Sequence, residues 1–291
     1  MPLLTLKEAL QFSVDQRYAV GAFNIANYVM AEGVIRAAEE KGLPVIINIA
    51  EVHFQILDMD NFMHYLLDRV HRSPAPMVIH LDHGYTYENI IKAIHYGFTS
   101  VMFDGSKLPY KENVARTREI VRIAHAAGVS VEAELGHVAG LEGEPGSANE
   151  ADTSAFTEPE EAERFVKETG IDALAVSIGT VHGVYKDEPR LDFARLKEIR
   201  KRVDIPLVLH GGTGLSREDF RKVIASGINK INFFTGNSVS AVEAVRKELS
   251  DKERYIDLPE LILIAQRKVK EVTMEQMEIF RTRPLAEQDK E

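Results

Sequence analysis

The chain has 291 residues and a formal net charge of −10, with 45% hydrophobic and 27% charged residues. An acidic chain of this kind lacks the positive surface that binds nucleic acid or an anionic membrane, so neither is an expected partner. The absence of cysteine excludes disulfides and cysteine-based zinc sites, and it predicts a cytoplasmic location. The N-terminal residues 1–16 predict a short helix and not a signal peptide.

Short apolar segments alternate along the chain with longer amphipathic ones. The predicted strands are 18–25, 44–50, 77–82, 99–104, 130–135, 172–178, 206–211 and 230–234. Predicted helices include 28–42, 87–97, 112–128, 191–203 and 217–227, with a long final helix over 258–282. This alternation predicts an α/β fold, a closed (β/α)8 TIM barrel with an extra C-terminal helix, as a single domain over residues 1–291.

Two further segments refine the fold prediction. The first strand-to-helix turn, FNIANY, lacks the G-x-G-x-x-G pattern, which weakens the alternative of an open dinucleotide-binding sheet. Residues 136–157 are long, acidic and rich in glycine and serine, without periodicity. A loop of this length in a compact domain is typical of a lid over a site or of disorder.

Polar residues gather where the predicted strands end, which is where barrel enzymes place their sites. Barrel closure would bring these ends into one crevice, although they are far apart in the chain. They are Asn24, Asp82, His83, Asp104, Glu132, Glu134, His182, His210, Asn232 and Thr235. Asp82 and His83 can face one site together only if the strand bends there, and Gly84 would permit that bend.

The strand-end histidines His83, His182 and His210 predict a catalytic zinc site, because three imidazoles leave a fourth position open for substrate. Histidines on helix-like segments are interpreted as ordinary core or surface residues: His53, His64, His71, His95 and His125. His80 is assigned to packing, and His137 in the long loop is unassigned. In HGGTGLS (210–216), bare backbone amides and the candidate N-cap Ser216 predict a phosphate site, with a plain tight turn as the alternative.

Four motifs resemble the class II, zinc-dependent ketose-bisphosphate aldolases, a family that includes fructose- and tagatose-1,6-bisphosphate aldolases. They are HLDHG (80–84), VEAELG (131–136), VHGVY (181–185) and LHGGTG (209–214). The resemblance runs from residues 21–28 to 271–280. It implies a lyase of carbohydrate metabolism that reversibly cleaves a ketose 1,6-bisphosphate into dihydroxyacetone phosphate and an aldehyde such as glyceraldehyde 3-phosphate.

The resemblance also implies roles for individual residues. His83, His182 and His210 would hold Zn²⁺, and Asp82 would move the proton of the C4 hydroxyl. Asp104 and Glu134 would hold a second divalent cation or an alternative zinc position, and Glu142 would exchange the C3 proton. The implied substrate contacts, added to Asn24 at the end of strand 1, are Gly183, Gly211, Gly212, Thr213, Asn232, Phe233, Phe234 and Thr235. A monovalent cation (Na⁺ or K⁺) near Gly183 and Gly211 is implied too, as is a homodimer or homotetramer.

The sequence offers three alternative functions and one alternative mechanism. The first alternative is an aldolase for a different ketose 1-phosphate, because the family pattern is not followed at Ala50, Phe233 and Phe234. A barrel hydrolase using zinc-bound hydroxide is disfavoured, because strand 1 does not end in H-x-H. A non-catalytic zinc or phosphosugar-binding protein would not need Asp82, Glu142 and three metal ligands together. A lysine imine mechanism is disfavoured, since Lys230 starts its strand and no lysine ends one.

Overall fold

The computed structural model describes residues 3–140, 153–183, 185, 189–251, 253 and 255–285. Within these residues all eight predicted strands are present: β1 Val20–Asn24, β2 Val45–Ala50, β3 Met77–Gly84, β4 Ser100–Phe103, β5 Ser130–Leu135, β6 Ala173–Val176, β7 Leu207–Leu209 and β8 Ile228–Phe233. They are parallel and close in chain order, with β8 pairing to β1. The predicted (β/α)8 TIM barrel is therefore confirmed.

Helices connect the strands and cover the outside of the barrel. They are α1 Leu6–Leu10, α2 Ser13–Gln16, α3 Tyr28–Lys41, α4 Met59–His71, α5 Tyr87–His95, α6 Tyr110–Ala126, α7 Pro159–Thr169, α8 Phe193–Arg202, α9 Arg217–Ala225, α10 Thr235–Leu249 and α11 Leu258–Ile279. The predicted extra helix is α11. It approaches α3 closely at Gly33, where an added Cβ would lie 2.7 Å from Val269 Cγ1.

Side-chain caps fix where several helices begin, as the sequence pattern predicts for Ser, Thr, Asn and Asp. Asn27 accepts from the backbone N–H of Met30 at the start of α3. Ser216 and Asp219 form a reciprocal capping box at the start of α9, which confirms Ser216 as an N-cap. These caps fix the first residues of the helices that follow β1 and β7.

Two apolar cores support the barrel. One lies between the strands and the surrounding helices, and the other lies inside the barrel, where Leu6 and Leu10 of α1 pack against inward residues such as Val20 and Val78. Since side chains alternate along a strand, the inward side of β3 runs Val78, His80, Asp82. The barrel interior thus changes from apolar to polar toward the C-terminal ends of the strands. Among the described residues, no helix is both long and apolar enough to cross a bilayer.

Candidate metal centre and substrate site

Three imidazoles converge at the C-terminal rim of the barrel. One ring nitrogen each of His83, His182 and His210 lies within 4.8 Å of the others. His83 Nε2 and His210 Nδ1 are 2.9 Å apart, and the ring centroid of His182 lies 5.0 Å from that of His83. All three side chains are buried. The structure therefore brings together the three histidines that the sequence singled out.

An irregular backbone at His83 lets Asp82 and His83 face the same site. His83 has φ of +47°, a left-handed conformation that is uncommon outside glycine and that occurs at functional sites. The pairing of β3 with β4 shifts register between Leu81 and Gly84. The bend thus lies at His83, whereas Gly84 serves a different need: an added Cβ there would lie 2.5 Å from the carbonyl oxygen of Met102.

Two carboxylates flank the histidines on the β4–β5 side. His83 Nδ1 donates to Asp104 Oδ2 at 2.8 Å, and Asp104 Oδ1 accepts from the Ser106 hydroxyl at 2.6 Å. Ligand atoms of His83, Asp104 and Glu134 also lie within 4.8 Å of one another. Glu134 Oε2 is buried without a hydrogen-bond partner among the described residues. This second group has the composition of a cation site.

Charge around the histidines favours a cation at their centre. Burial alone would lower the pKa of His83, but the carboxylates of Asp82 and Asp104 raise it to about 10. Burial lowers the pKa of His210 and, together with the charge of His83, holds that of His182 well below its usual value. Three nitrogen donors surrounded by carboxylates fit a divalent metal with a preference for imidazole, as zinc has.

Asp82 is fully buried beside the histidines and is held through both carboxylate oxygens. Asn24 Nδ2 donates to Oδ2 at 2.7 Å, and Asn232 Nδ2 donates to Oδ1 at 2.9 Å. Burial would raise the pKa of Asp82, yet the nearby positive groups, His83 first and also Lys230, keep it well below its usual range. Asp82 is consequently an ionised, fixed acceptor facing the metal centre.

The loops after β7 and β8 meet beside the histidines. Gly211 has φ of +69°, and an added Cβ would lie 2.3 Å from the carbonyl oxygen of Val181, so this position requires glycine. The backbone N–H of Gly236, in the first turn of α10, donates to Thr213 Oγ1 at 3.1 Å. Tyr185 fixes the same loop, donating its hydroxyl to the Gly211 carbonyl at 2.8 Å. The result is a cradle of backbone next to a helix N-terminus.

Three of the predicted residues need separate comment. Phe233 was predicted among the substrate contacts, but its side chain packs in the core outside the strands, 6.3 Å from the ring of Phe23. The reason is strand parity, since Asn232 faces inward and Phe233 outward. Phe234 follows the strand and lies against His53, with ring centroids 5.1 Å apart. Glu142 lies outside the described residues.

No role in the site is predicted from the sequence for Glu132 or Lys230. In the sequence, Glu132 marks only the end of the fifth strand. Lys230 starts the eighth strand, far from the strand end where a lysine could form an imine with substrate. Both are fully buried and belong to a network that ends on His210. Strand parity with Glu134 and Asn232 was the available signal, because it places both side chains inside the barrel.

His80, assigned to packing, is fully buried inside the barrel, and its Nδ1 lies 2.8 Å from Ser100 Oγ. Burial and then the charge of Lys230 lower its pKa from 6.5 to about 3. Between pH 6.5 and about 3, the unfolded chain therefore binds a proton at His80 that the folded protein does not bind. The stability that the folded protein gains from a neutral His80 is consequently lost as the pH falls through this range.

We expect His80→Gln to flatten the acid side of the stability curve. Below pH 6 the free energy of unfolding of the unchanged protein should fall by up to about 1.4 kcal/mol more per pH unit than that of the variant. Urea unfolding between pH 4 and 8 measures this, with His64→Gln on the exposed face of α4 as the control. Parallel curves for the unchanged protein and His80→Gln would contradict the assignment.

Comparison with known proteins gives a consistent result. The profile of a family described as "Fructose-bisphosphate aldolase class-II" matches residues 4–283. The chain is 41% identical over 285 residues to a "Probable fructose-bisphosphate aldolase" of Bacillus subtilis (strain 168), covering 96% of this chain and 98% of that protein. It is 40% identical over 284 residues to a fructose-bisphosphate aldolase of Geobacillus stearothermophilus, covering 96% and 97%. The crystal structure of the YdjI aldolase from Escherichia coli K12 matches with a TM-score of 0.86 at 35% identity, covering 96% and 98%.

Proposed function

Because the chain belongs to the class II fructose-bisphosphate aldolase family, we propose that it reversibly cleaves a ketose 1,6-bisphosphate of the fructose or tagatose type. The products are dihydroxyacetone phosphate and an aldehyde such as glyceraldehyde 3-phosphate. The observation that carries the proposal is the convergence of His83, His182 and His210 beside a buried, ionised Asp82.

The metal in this proposal is zinc, on which the family generally depends. His83, His182 and His210 would hold it and leave a further position for substrate oxygens. When bound, Zn²⁺ supplies Lewis-acid stabilisation of the negative charge that develops on the ketose half as the C3–C4 bond breaks.

Asp82 accepts the proton of the substrate C4 hydroxyl in this mechanism. Loss of that proton lets C4 become the carbonyl carbon of the aldehyde, while the electron pair of the C3–C4 bond stays with the ketose half. Its low pKa keeps Asp82 ionised at neutral pH, and the amides of Asn24 and Asn232 hold the carboxylate in one orientation. In the synthetic direction Asp82 returns the proton.

We assign exchange of the C3 proton to Glu142. Support comes from Gly140, the last described residue before it, which lies against His182: an added Cβ there would be 3.1 Å from His182 Cβ. The backbone N–H of His182 also donates to the carbonyl of Ala139 at 2.8 Å. Ala139 and Gly140 therefore lie beside a histidine of the metal centre, and Glu142 is two residues further along the chain.

The phosphate of the dihydroxyacetone half is assigned to the cradle formed by the loops after β7 and β8. Gly183, Gly211, Gly212 and Thr213 supply backbone groups on one side, and Thr235 begins α10 on the other. Helix N-termini and glycine-rich turns favour phosphate because their N–H groups point outward. We also place a monovalent cation near Gly183 and Gly211, and a second divalent cation at Asp104 and Glu134.

We propose a homodimer or homotetramer assembled through α10 and α11. Support comes from a set of exposed apolar side chains on these helices and the segment between them: Val239, Val242, Leu249, Tyr255, Leu258, Ile262 and Leu263. Apolar patches of this kind mark protein contacts. The mass in solution, measured by sedimentation equilibrium, tests the assembly. A cytoplasmic location and a single domain over residues 1–291 stay predictions from the sequence.

The test of the proposed activity combines a metal measurement with an assay. Purified protein should contain zinc and release triose phosphate from a ketose bisphosphate in a coupled assay. Zinc removal with a chelator should abolish release, and added zinc should restore it. Zinc-replete protein that is inert toward every ketose phosphate would contradict the proposal and favour a phosphosugar-binding protein.

A second candidate, an aldolase for a ketose 1-phosphate, is favoured by the contact between His53 and Phe234. His53 follows β2 and Phe234 follows β8, so their contact crosses the end of β1, where Asn24 binds Asp82. Segments 24–28, 50–56 and 232–238 contain no lysine or arginine. These three segments beside Asp82 therefore offer no lysine or arginine side chain to a phosphate on the aldehyde half of the substrate.

We expect Phe234→Ala to change substrate preference without changing the zinc content. Removing the ring should lower kcat/KM for a ketose 1-phosphate by about tenfold or more, the effect of a lost apolar contact, with a smaller effect on the bisphosphate. The control is Phe54→Ala, which removes an aromatic ring of the turn that carries His53 but packs on Phe98. Equal losses for both substrates would argue against this role.

A further inference from the structure

A buried ion pair inside the barrel has no part in the mechanism above. Lys230 of β8 and Glu132 of β5 are both fully buried, and Lys230 Nζ donates to Glu132 Oε2 at 2.8 Å. The other oxygen, Glu132 Oε1, lies 2.9 Å from His210 Nε2. The pair therefore connects directly to one of the three histidines of the metal centre.

Packing alone does not account for this pair. Buried ion pairs lose their hydration, and apolar side chains of similar volume commonly support a fold as well or better. Elsewhere the interior uses such residues, including Ile46, Val78 and Val208. A charged pair in this interior is explained more economically by its contact with His210.

The contact specifies how His210 is presented. An ionised carboxylate only accepts hydrogen bonds, so His210 Nε2 carries the proton and donates it to Glu132. The opposite nitrogen, Nδ1, is then unprotonated, and it is the one that lies 2.9 Å from His83 Nε2. We infer that Glu132 and Lys230 are positioning residues for the metal: Glu132 fixes the tautomer and ring orientation of His210, and Lys230 fixes Glu132.

Lys230 completes the arrangement by holding the carboxylate oxygen that faces away from His210. His80 Nε2 lies 3.6 Å from the same oxygen, and Ser100 Oγ holds the other side of the His80 ring at 2.8 Å. With each oxygen engaged, the carboxylate is held against rotation. Partners of this kind behind metal-binding histidines typically change metal affinity by about 10–100-fold when they are removed.

The test is zinc affinity of the metal-free protein, measured by competition with a chelator. The double variant Glu132→Leu/Lys230→Met replaces the pair with apolar side chains and leaves no buried charge unpaired. We expect its zinc Kd to rise about 10–100-fold while its Tm is kept or raised. The matched control, Glu39→Leu/Arg69→Met, removes an ion pair outside the barrel and should leave the zinc Kd unchanged.

An unchanged zinc Kd in the folded double variant would overturn the inference, since a purely structural pair would alter Tm alone. A second measurement needs no variant: histidine ¹⁵N spectra of the metal-free protein report which nitrogen of His210 bears the proton. A proton on Nε2 supports the inference, and a proton on Nδ1 overturns it. The inference rests on zinc ligation by His210 in the proposed function. Neither measurement involves the sugar, so a wrong substrate assignment would leave both results intact.

Discussion

Asp82→Ala is expected to lower kcat for ketose bisphosphate cleavage by about 10²–10⁴-fold, the usual contribution of a positioned base. The zinc content should stay at the level of the unchanged protein, because Asp82 lies beside the three histidines without belonging to their donor set. Substrate should still bind, since the phosphate cradle after β7 and β8 does not use Asp82. Zinc analysis, substrate titration and steady-state kinetics together separate these effects.

The control for this variant is Asp172→Asn, which changes another buried carboxylate. Asp172 precedes β6, lies 2.8 Å from His125 Nε2 and accepts from the backbone N–H of Val131 at 2.9 Å. A loss in both variants would reflect damage to the barrel. Asp82→Ala turning over within tenfold of the unchanged protein, with zinc intact, would remove Asp82 from the role of base.

The barrel was predictable from the sequence because its signals are local. A strand buried on both faces reads as a short apolar run, and eight such runs separated by amphipathic segments leave few topologies. The same pattern of apolar runs showed which histidines lie at the ends of strands. The rule that sites lie at the carboxyl ends of barrel strands then placed distant residues such as His83 and His210 together.

Other features depend on tertiary contacts that no local pattern shows. The bend at His83 coincides with a register shift against β4, which a local pattern does not show, whereas the glycine at position 84 is visible in the sequence. Phe233 was grouped with its neighbours by resemblance, although strand parity turns its side chain into the core. The pairing of Glu132 with Lys230 joins residues 98 positions apart, and only the closed barrel shows that they meet.

His210→Ala is expected to remove zinc as well as activity. Two imidazoles would remain, and Glu132 Oε1 would lose the ring nitrogen that it now contacts at 2.9 Å. A Lewis acid contributes several kcal/mol, so cleavage should fall by about 10³-fold or more. Added zinc should restore chelator-treated unchanged protein but not the variant. The control is His64→Ala, because the unchanged His64 is exposed on α4 and its Nδ1 lies 2.6 Å from the Asp60 carbonyl oxygen of the same helix.

Comparing this variant with Asp82→Ala separates metal binding from proton transfer. Both should be nearly inactive, yet only His210→Ala should lose the metal, because Asp82 does not belong to the histidine donor set. Zinc retained at full stoichiometry by His210→Ala would exclude His210 from the ligand set. It would also leave Glu132 and Lys230 without a connection to the metal, since their contact with the centre runs through that ring.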